Sequence, residues 1–118
     1  APNTNHGSVA EHTFALMLGL AKSLIPQHLG TAAGRWPRGS TLPLRTQTLG
    51  LVGLGRIGRA MTTRAHAFGM KVIGHDPFAD KQWAAEAGVE LLSLEALLEQ
   101  ADYVSLHLPA IPATRHMI

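Results

Sequence analysis

The stretch that most constrains this chain is Thr48-Leu49-Gly50-Leu51-Val52 running into Gly53-Leu54-Gly55-Arg56-Ile57-Gly58. The first five residues are an apolar run of the length and composition of a buried parallel strand. Gly53, Gly55 and Gly58 follow in the spacing G-x-G-x-x-G. Beyond Gly58, the residues Ile57, Met61, Ala65 and Phe68 recur at helical spacing, and Gly69 stops the helix. A second apolar run, Val72-Ile73-Gly74-His75, ends at Asp76, 18 residues beyond Gly58. Strand, glycine turn, helix, strand and acid thus come in one order, and that order is more specific than the glycine spacing alone.

Each part has a physical task in holding a dinucleotide. Gly53 permits a tight turn out of the strand. Gly55 has no Cβ, which leaves room for a pyrophosphate against the backbone. Gly58 lets the helix pack closely on the strand. The helix N-terminus presents unpaired N–H groups and a partial positive charge, and the N–H groups of Arg56 and Ile57 are the expected phosphate donors. Asp76 is placed to accept both hydroxyls of an adenosine ribose and to repel a 2′-phosphate, which favours NAD over NADP.

The full sequence of 118 residues is consistent with one domain. Its formal net charge is +2 and its basic residues are scattered, so neither a nucleic-acid footprint nor a membrane footprint is expected. There are no cysteines, hence no disulfides or thiolate metal sites, which suits a cytoplasmic location. The longest apolar stretch, Phe14 to Ile25, contains Lys22 and is too short to span a bilayer. The seven histidines show no ligand spacing such as H-E-x-x-H, and no metal is expected.

Taken in order, Ala1 to Gly7 reads as loop. Ser8-Val9-Ala10-Glu11 has the capping-box pattern and predicts a helix start, with Glu11 as the capping carboxylate. The helix body, His12 to Ile25, is apolar on most sides and needs a second subunit or domain to cover it. Pro26 is expected to interrupt it, with helix resuming from Gln27 to Ala33 and stopping at Gly34. Arg35 to Ser40 reads as loop, with Trp36 as a packed anchor. After Asp76, Pro77 to Asp80 turns the chain, and Lys81 to Ala87 is a helix stopped by Gly88. Val89 to Leu92 is a third strand, Ser93 caps a helix Leu94 to Gln100, and Asp102 to Leu108 is a fourth strand ended by Pro109. Thr114 reads as the N-cap of a further helix from Arg115. The fold class is therefore α/β, a partial Rossmann-type doubly wound parallel sheet of about four strands in order 3-2-1-4, preceded by a long apolar helix. Residues 1–40 form the helix and loop of an interdomain or dimerisation segment, and residues 41–118 the βαβ units. The fourth strand would normally be interior to such a sheet, which suggests a chain cut from something longer.

These motifs resemble the NAD-dependent D-isomer-specific 2-hydroxyacid dehydrogenases, including phosphoglycerate dehydrogenases. The resemblance rests on Ser8-Val9-Ala10-Glu11-His12 with its apolar helix, Gly34-Arg35-Trp36, Thr48 to Gly58, Ala67 to Val72, His75-Asp76-Pro77, and Val104-Ser105-Leu106-His107-Leu108-Pro109 with Thr114. Thr46-Gln47 departs from the family's usual Gly-Lys. The resemblance implies NAD as cofactor, a small 2-hydroxy or 2-keto acid as substrate of the full-length protein, and a homodimer formed through the apolar helix and the Trp36 loop. It implies that Arg56 and Ile57 bind pyrophosphate, that Asp76 binds the adenosine ribose, and that His107, Leu108 and Pro109 line the cofactor cleft. The family's catalytic arginine, glutamate and histidine lie in motifs beyond Ile118, so no catalytic residue is assigned here and the chain alone is expected to be inactive. Two other readings stay open at this point: a non-catalytic NAD-sensing dimerisation module of the corepressor kind, and a different nicotinamide-binding enzyme.

Overall fold

A computed structural model describes residues 5–36, 41–108, 112, 114–116 and 118. The strands β1 (Thr48–Val52), β2 (Lys71–His75), β3 (Val89–Leu91) and β4 (Tyr103–Leu106) form one parallel sheet in the order β3-β2-β1-β4. This is the predicted strand order. Side chains alternate across the sheet as period-2 geometry demands. Leu49, Leu51 and Val72 point into a core on one face, and Val52 and Ile73 into a smaller core on the other.

Helices α1 (His6–Ala21), α3 (Arg56–Ala67) and α4 (Lys81–Ala87) cover the first face. There Ala10, Phe14 and Met17 of α1 meet Met61 and Ala65 of α3, and Phe14 stacks on Phe68 with ring centroids 5.6 Å apart. Helix α5 (Leu94–Gln100) covers the second face through Leu97. Its approach is close because β1 carries glycine at its centre: a Cβ on Gly50 would come within 2.7 Å of Leu97 Cδ2 and 2.8 Å of Ala101 Cβ.

The short helices have the caps their sequences offer. Asp80 Oδ1 accepts from the Trp83 N–H at 3.0 Å, and Ser93 Oγ accepts from the Ala96 N–H at 3.2 Å. The start of the sheet is tied by Asp102, whose carboxylate accepts the Thr48 N–H at 2.7 Å while its own N–H donates to the Thr48 carbonyl at 2.9 Å.

The structure corrects several expectations. Helix α1 begins at His6, before Ser8, and its N-cap Asn5 makes no side-chain cap bond. The Val9 N–H already donates to the Asn5 carbonyl at 3.0 Å, so Ser8 is inside the first turn and Glu11 is not a capping carboxylate. Glu11 instead approaches Arg64 of α3 at 3.9 Å. The helix breaks at Lys22–Ser23, where Ser23 takes φ 51°, and α2 (Leu24–Ala32) contains Pro26 in its first turn. A 3-10 turn, Leu44–Thr46, precedes β1. Trp36 is 88% exposed, so the packed anchor expected there is not seen among the described residues. Thr114 to His116 adopt turns rather than a helix start, with His116 at φ 53°. Helix α1 is buried along one side only, leaving Leu16 and Leu20 exposed. The expectations for Ala1–Thr4, Pro37–Ser40 and Pro109 fall outside the described residues. Among the described residues no helix is long and apolar enough to cross a membrane.

Candidate functional site

The carboxyl end of β1 delivers the chain into the glycine turn at the centre of the sheet. Gly53 takes φ 104°, and its N–H donates to the His75 carbonyl at 2.9 Å, tying the turn to the end of β2. A Cβ at Gly53 would come within 2.5 Å of the His107 carbonyl oxygen and 3.0 Å of Leu108 Cδ2. Strand β4 therefore closes on the turn from the other side. A Cβ at Gly58 would overlap the Gly53 carbonyl oxygen, so α3 crosses the turn at a separation only glycine allows. Gly55 is different: a Cβ there would meet nothing within 4 Å. Among the described residues nothing fills that space.

Helix α3 starts directly behind this open space. Its N-cap is Gly55, with no side-chain cap bond and no acidic residue in the first turn. The Arg59 N–H donates to the Gly55 carbonyl at 2.9 Å, so the N–H groups of Arg56, Ile57 and Gly58 precede the first intrahelical bond. Such an end offers donors and partial positive charge to an anion.

Asp76, at the end of β2, is joined to the turn by a bond that sequence reasoning missed. Its Oδ2 accepts the Leu54 N–H at 2.9 Å, and its Oδ1 accepts the Phe78 N–H at 2.9 Å. Each oxygen keeps a further lone pair, so the carboxylate is held in place while still able to accept ribose hydroxyls. Leu54 is itself locked by burial, its side chain filling the space above Gly74, where a Cβ would come within 2.8 Å of Leu54 Cδ1. The structure thus gathers Gly53, Gly55, Arg56, Ile57, Gly58 and Asp76 around one mouth, with His107 and Leu108 bordering it.

His107 continues the β4 backbone ladder, its N–H donating to the Val52 carbonyl at 2.8 Å. Its imidazole Nε2 is hydrogen-bonded to Ser105 Oγ at 2.6 Å. Burial pushes its pKa below the ordinary 6.5, because a half-buried imidazolium loses hydration. The i, i+2 spacing of Ser105 and His107 in an extended segment was the available signal for this pair. The Ser105 hydroxyl sets the orientation of the ring.

The comparisons with known proteins agree with this geometry. The family profile described as D-isomer specific 2-hydroxyacid dehydrogenase, NAD binding domain, matches residues 14–118. The chain is 42% identical to D-3-phosphoglycerate dehydrogenase of Methanocaldococcus jannaschii over 121 residues, covering 100% of this chain and 23% of that protein. It is 40% identical to D-3-phosphoglycerate dehydrogenase of Mycobacterium tuberculosis over 120 residues, covering 100% of this chain and 23% of that protein. Among solved structures it superposes on D-lactate dehydrogenase of Aquifex aeolicus, complexed with NAD and lactic acid, with TM-score 0.92 and 37% identity. That superposition covers 99% of this chain and 36% of the other. The chain therefore spans less than a quarter of the length of these phosphoglycerate dehydrogenases, and with its four-stranded parallel sheet and glycine turn it belongs to the D-isomer specific 2-hydroxyacid dehydrogenases as part of their NAD-binding domain.

Proposed function

We propose that this chain holds NAD in an oxidoreductase that moves a hydride between NAD and a small D-2-hydroxy acid or its 2-keto acid. The observation that carries the reading is the open space at Gly55, backed by an uncapped helix start and faced by a carboxylate already pinned by two backbone N–H groups. In this reading the N–H groups of Arg56 and Ile57 hold the pyrophosphate. Asp76 accepts the adenosine ribose hydroxyls, and His107 and Leu108 line the cleft at the sheet's topological switch point. When bound, the nicotinamide supplies the carbon that gives or takes the hydride. The residues of this chain bind and orient; none of them is assigned to exchange the substrate proton. The relatives' names support a phosphorylated or simple hydroxy acid as substrate without choosing one.

The proposed partner of the protein is a second copy of itself, docked through α1 and α2. Residues 1–40 would then serve as the dimerisation segment and residues 41–118 as the cofactor unit. A cysteine-free sequence agrees with the cytoplasm as the proposed location.

Calorimetric titration tests the cofactor reading. NADH is expected to bind saturably and at least about tenfold more tightly than NADPH, a difference of roughly 1.4 kcal/mol that one like-charge contact supplies. Asp76→Ala should narrow the gap. Equal affinity for the two cofactors in the unaltered chain would remove Asp76 from the ribose site, and no binding of either would overturn the reading as a whole.

A further inference from the structure

Beside the glycine turn, the outer face of α3 and the start of α1 border an open, shallow cavity of about 520 Å³ whose lining does not include Gly55. Arg56, Arg59, Thr63 and Arg64 line it along α3, with His6 and Gly7 of α1 opposite. On a helix these four α3 positions form one stripe over two turns, about 12 Å long. The cavity has the volume of a small-molecule site.

The charge in it is barely compensated. Arg59 approaches Asp80 and Arg64 approaches Glu11, each at 3.9 Å, too long for a hydrogen bond. All four of those side chains are a third or more exposed, so the pairs are weak. Arg64 spends one N–H on the Ala60 carbonyl at 3.1 Å, which steadies the guanidinium and leaves its other donors available. Arg59 lies 4.6 Å from the Trp83 ring centroid, which holds its guanidinium plane at the cavity's edge. Arg56 has no side-chain bond or ion pair among the described residues. The NAD reading uses none of these guanidinium groups.

We infer that this cavity is a second anion site, which takes a small molecule carrying a phosphate and a second anionic group. Guanidinium forks match phosphate oxygens in geometry and charge. Arginines at both ends of a 12 Å stripe suit two separated anionic groups better than one point charge, by the same helical rise. Because Arg56 borders both the cavity and the start of α3, a ligand here sits next to the pyrophosphate space without entering it.

The test follows backbone amide shifts of the isotope-labelled chain during titration with 2-phosphoglycolate, with inorganic phosphate and glycolate as comparators. Phosphoglycolate should give saturable shifts at Gly7, Arg59, Thr63 and Arg64, with weaker binding of inorganic phosphate and weakest of glycolate. Arg59→Gln combined with Arg64→Gln should weaken phosphoglycolate roughly tenfold or more, since each charge-assisted bond lost is of that order. Thr63→Glu, at an exposed position, should do the same by repulsion and serves if the double variant folds poorly. Gly55→Val should leave phosphoglycolate binding intact. Shifts centred on residues 53–57 and lost in Gly55→Val would show the ion entering the pyrophosphate space and would overturn the second site. So would equal response to glycolate and phosphoglycolate, or shifts that never saturate.

Discussion

Gly53, Gly55 and Gly58 share one motif for different reasons, and substitution separates them. Gly53 has a positive φ and a neighbour's carbonyl oxygen 2.5 Å from where its Cβ would lie, and Gly58 lies against the Gly53 carbonyl. Gly53→Ala or Gly58→Ala should therefore lower folding stability by about 1–3 kcal/mol, the usual cost of overpacking or backbone strain. Gly55→Val meets open space and should leave the denaturation midpoint nearly unchanged while abolishing NADH binding. A Gly55→Val chain that binds NADH with its original dissociation constant would show that the pyrophosphate does not use this turn. His107 permits a second prediction. Burial lowers the folded pKa of its ring below 6.5, so the unfolded chain takes up this proton at higher pH than the folded chain does. The stability due to this group is fully present above about pH 6.5 and is lost as pH falls through the lower, folded value. The melting temperature of the unaltered chain should accordingly drop more on acidification than that of His107→Gln. Parallel pH profiles for the two chains would refute the linkage.

At the scale of elements, the sequence was legible wherever a local rule and the tertiary contact asked for the same thing. Helices α4 and α5 have the bounds their patterns predict: Gly88 ends α4 in the left-handed conformation, and Ser93 starts α5 by capping it. At the start of α1, Ser8-Val9-Ala10-Glu11 fits a local capping rule that the packing overrides. Placing Ala10, Phe14 and Met17 on α3 carries helix back to His6, and Arg64 takes Glu11 as a neighbour. The sequence puts the interruption at Pro26, but the break between α1 and α2 lies at Lys22 and Ser23, with Pro26 inside α2. Proline in a helix clashes with the carbonyl four residues earlier, which here is Lys22, and the chain leaves the helix at Lys22 and Ser23. The freed Lys22 carbonyl accepts Gln27 Nε2 at 2.8 Å. Two features had no sequence signal: the Leu54-to-Asp76 bond spans 22 residues, and the need for glycine at position 50 depends on where α5 lands. Gly50→Ala should push Leu97 and Ala101 away from β1 and cost about 1–3 kcal/mol in chemical denaturation. An unchanged midpoint would mean that α5 shifts freely, contrary to the close packing seen.

At the scale of the whole molecule, α1 buries one side against the core and leaves its other side, with α2, exposed. The radius of gyration is 16.0 Å, against about 13.5 Å for a compact chain of this length. The two helices carry Leu16, Leu20, Leu24, Ile25 and Leu29, each more than half exposed, and between them lies an apolar groove of about 530 Å³. Neither helix is long and apolar enough to cross a bilayer. Covering it twice over in a two-fold pair would gain roughly 10–20 kcal/mol from ten partly exposed side chains, against an association cost of about 4–15 kcal/mol. The balance favours a second copy, and a two-fold arrangement sets the same patch against itself. Trp36, exposed just beyond α2, lies near enough in sequence to join that contact. Sedimentation of the chain over a range of concentrations should show a dimer, and Leu20→Glu should convert it to monomer while leaving the sheet and its NADH affinity in place. Leu20 is 75% exposed in the single chain, so the substitution has no buried contact to disturb there. A monomer at every concentration in the unaltered chain would sink the self-association reading and leave the groove to another partner. A Leu20→Glu chain that still dimerises would move the interface off α1.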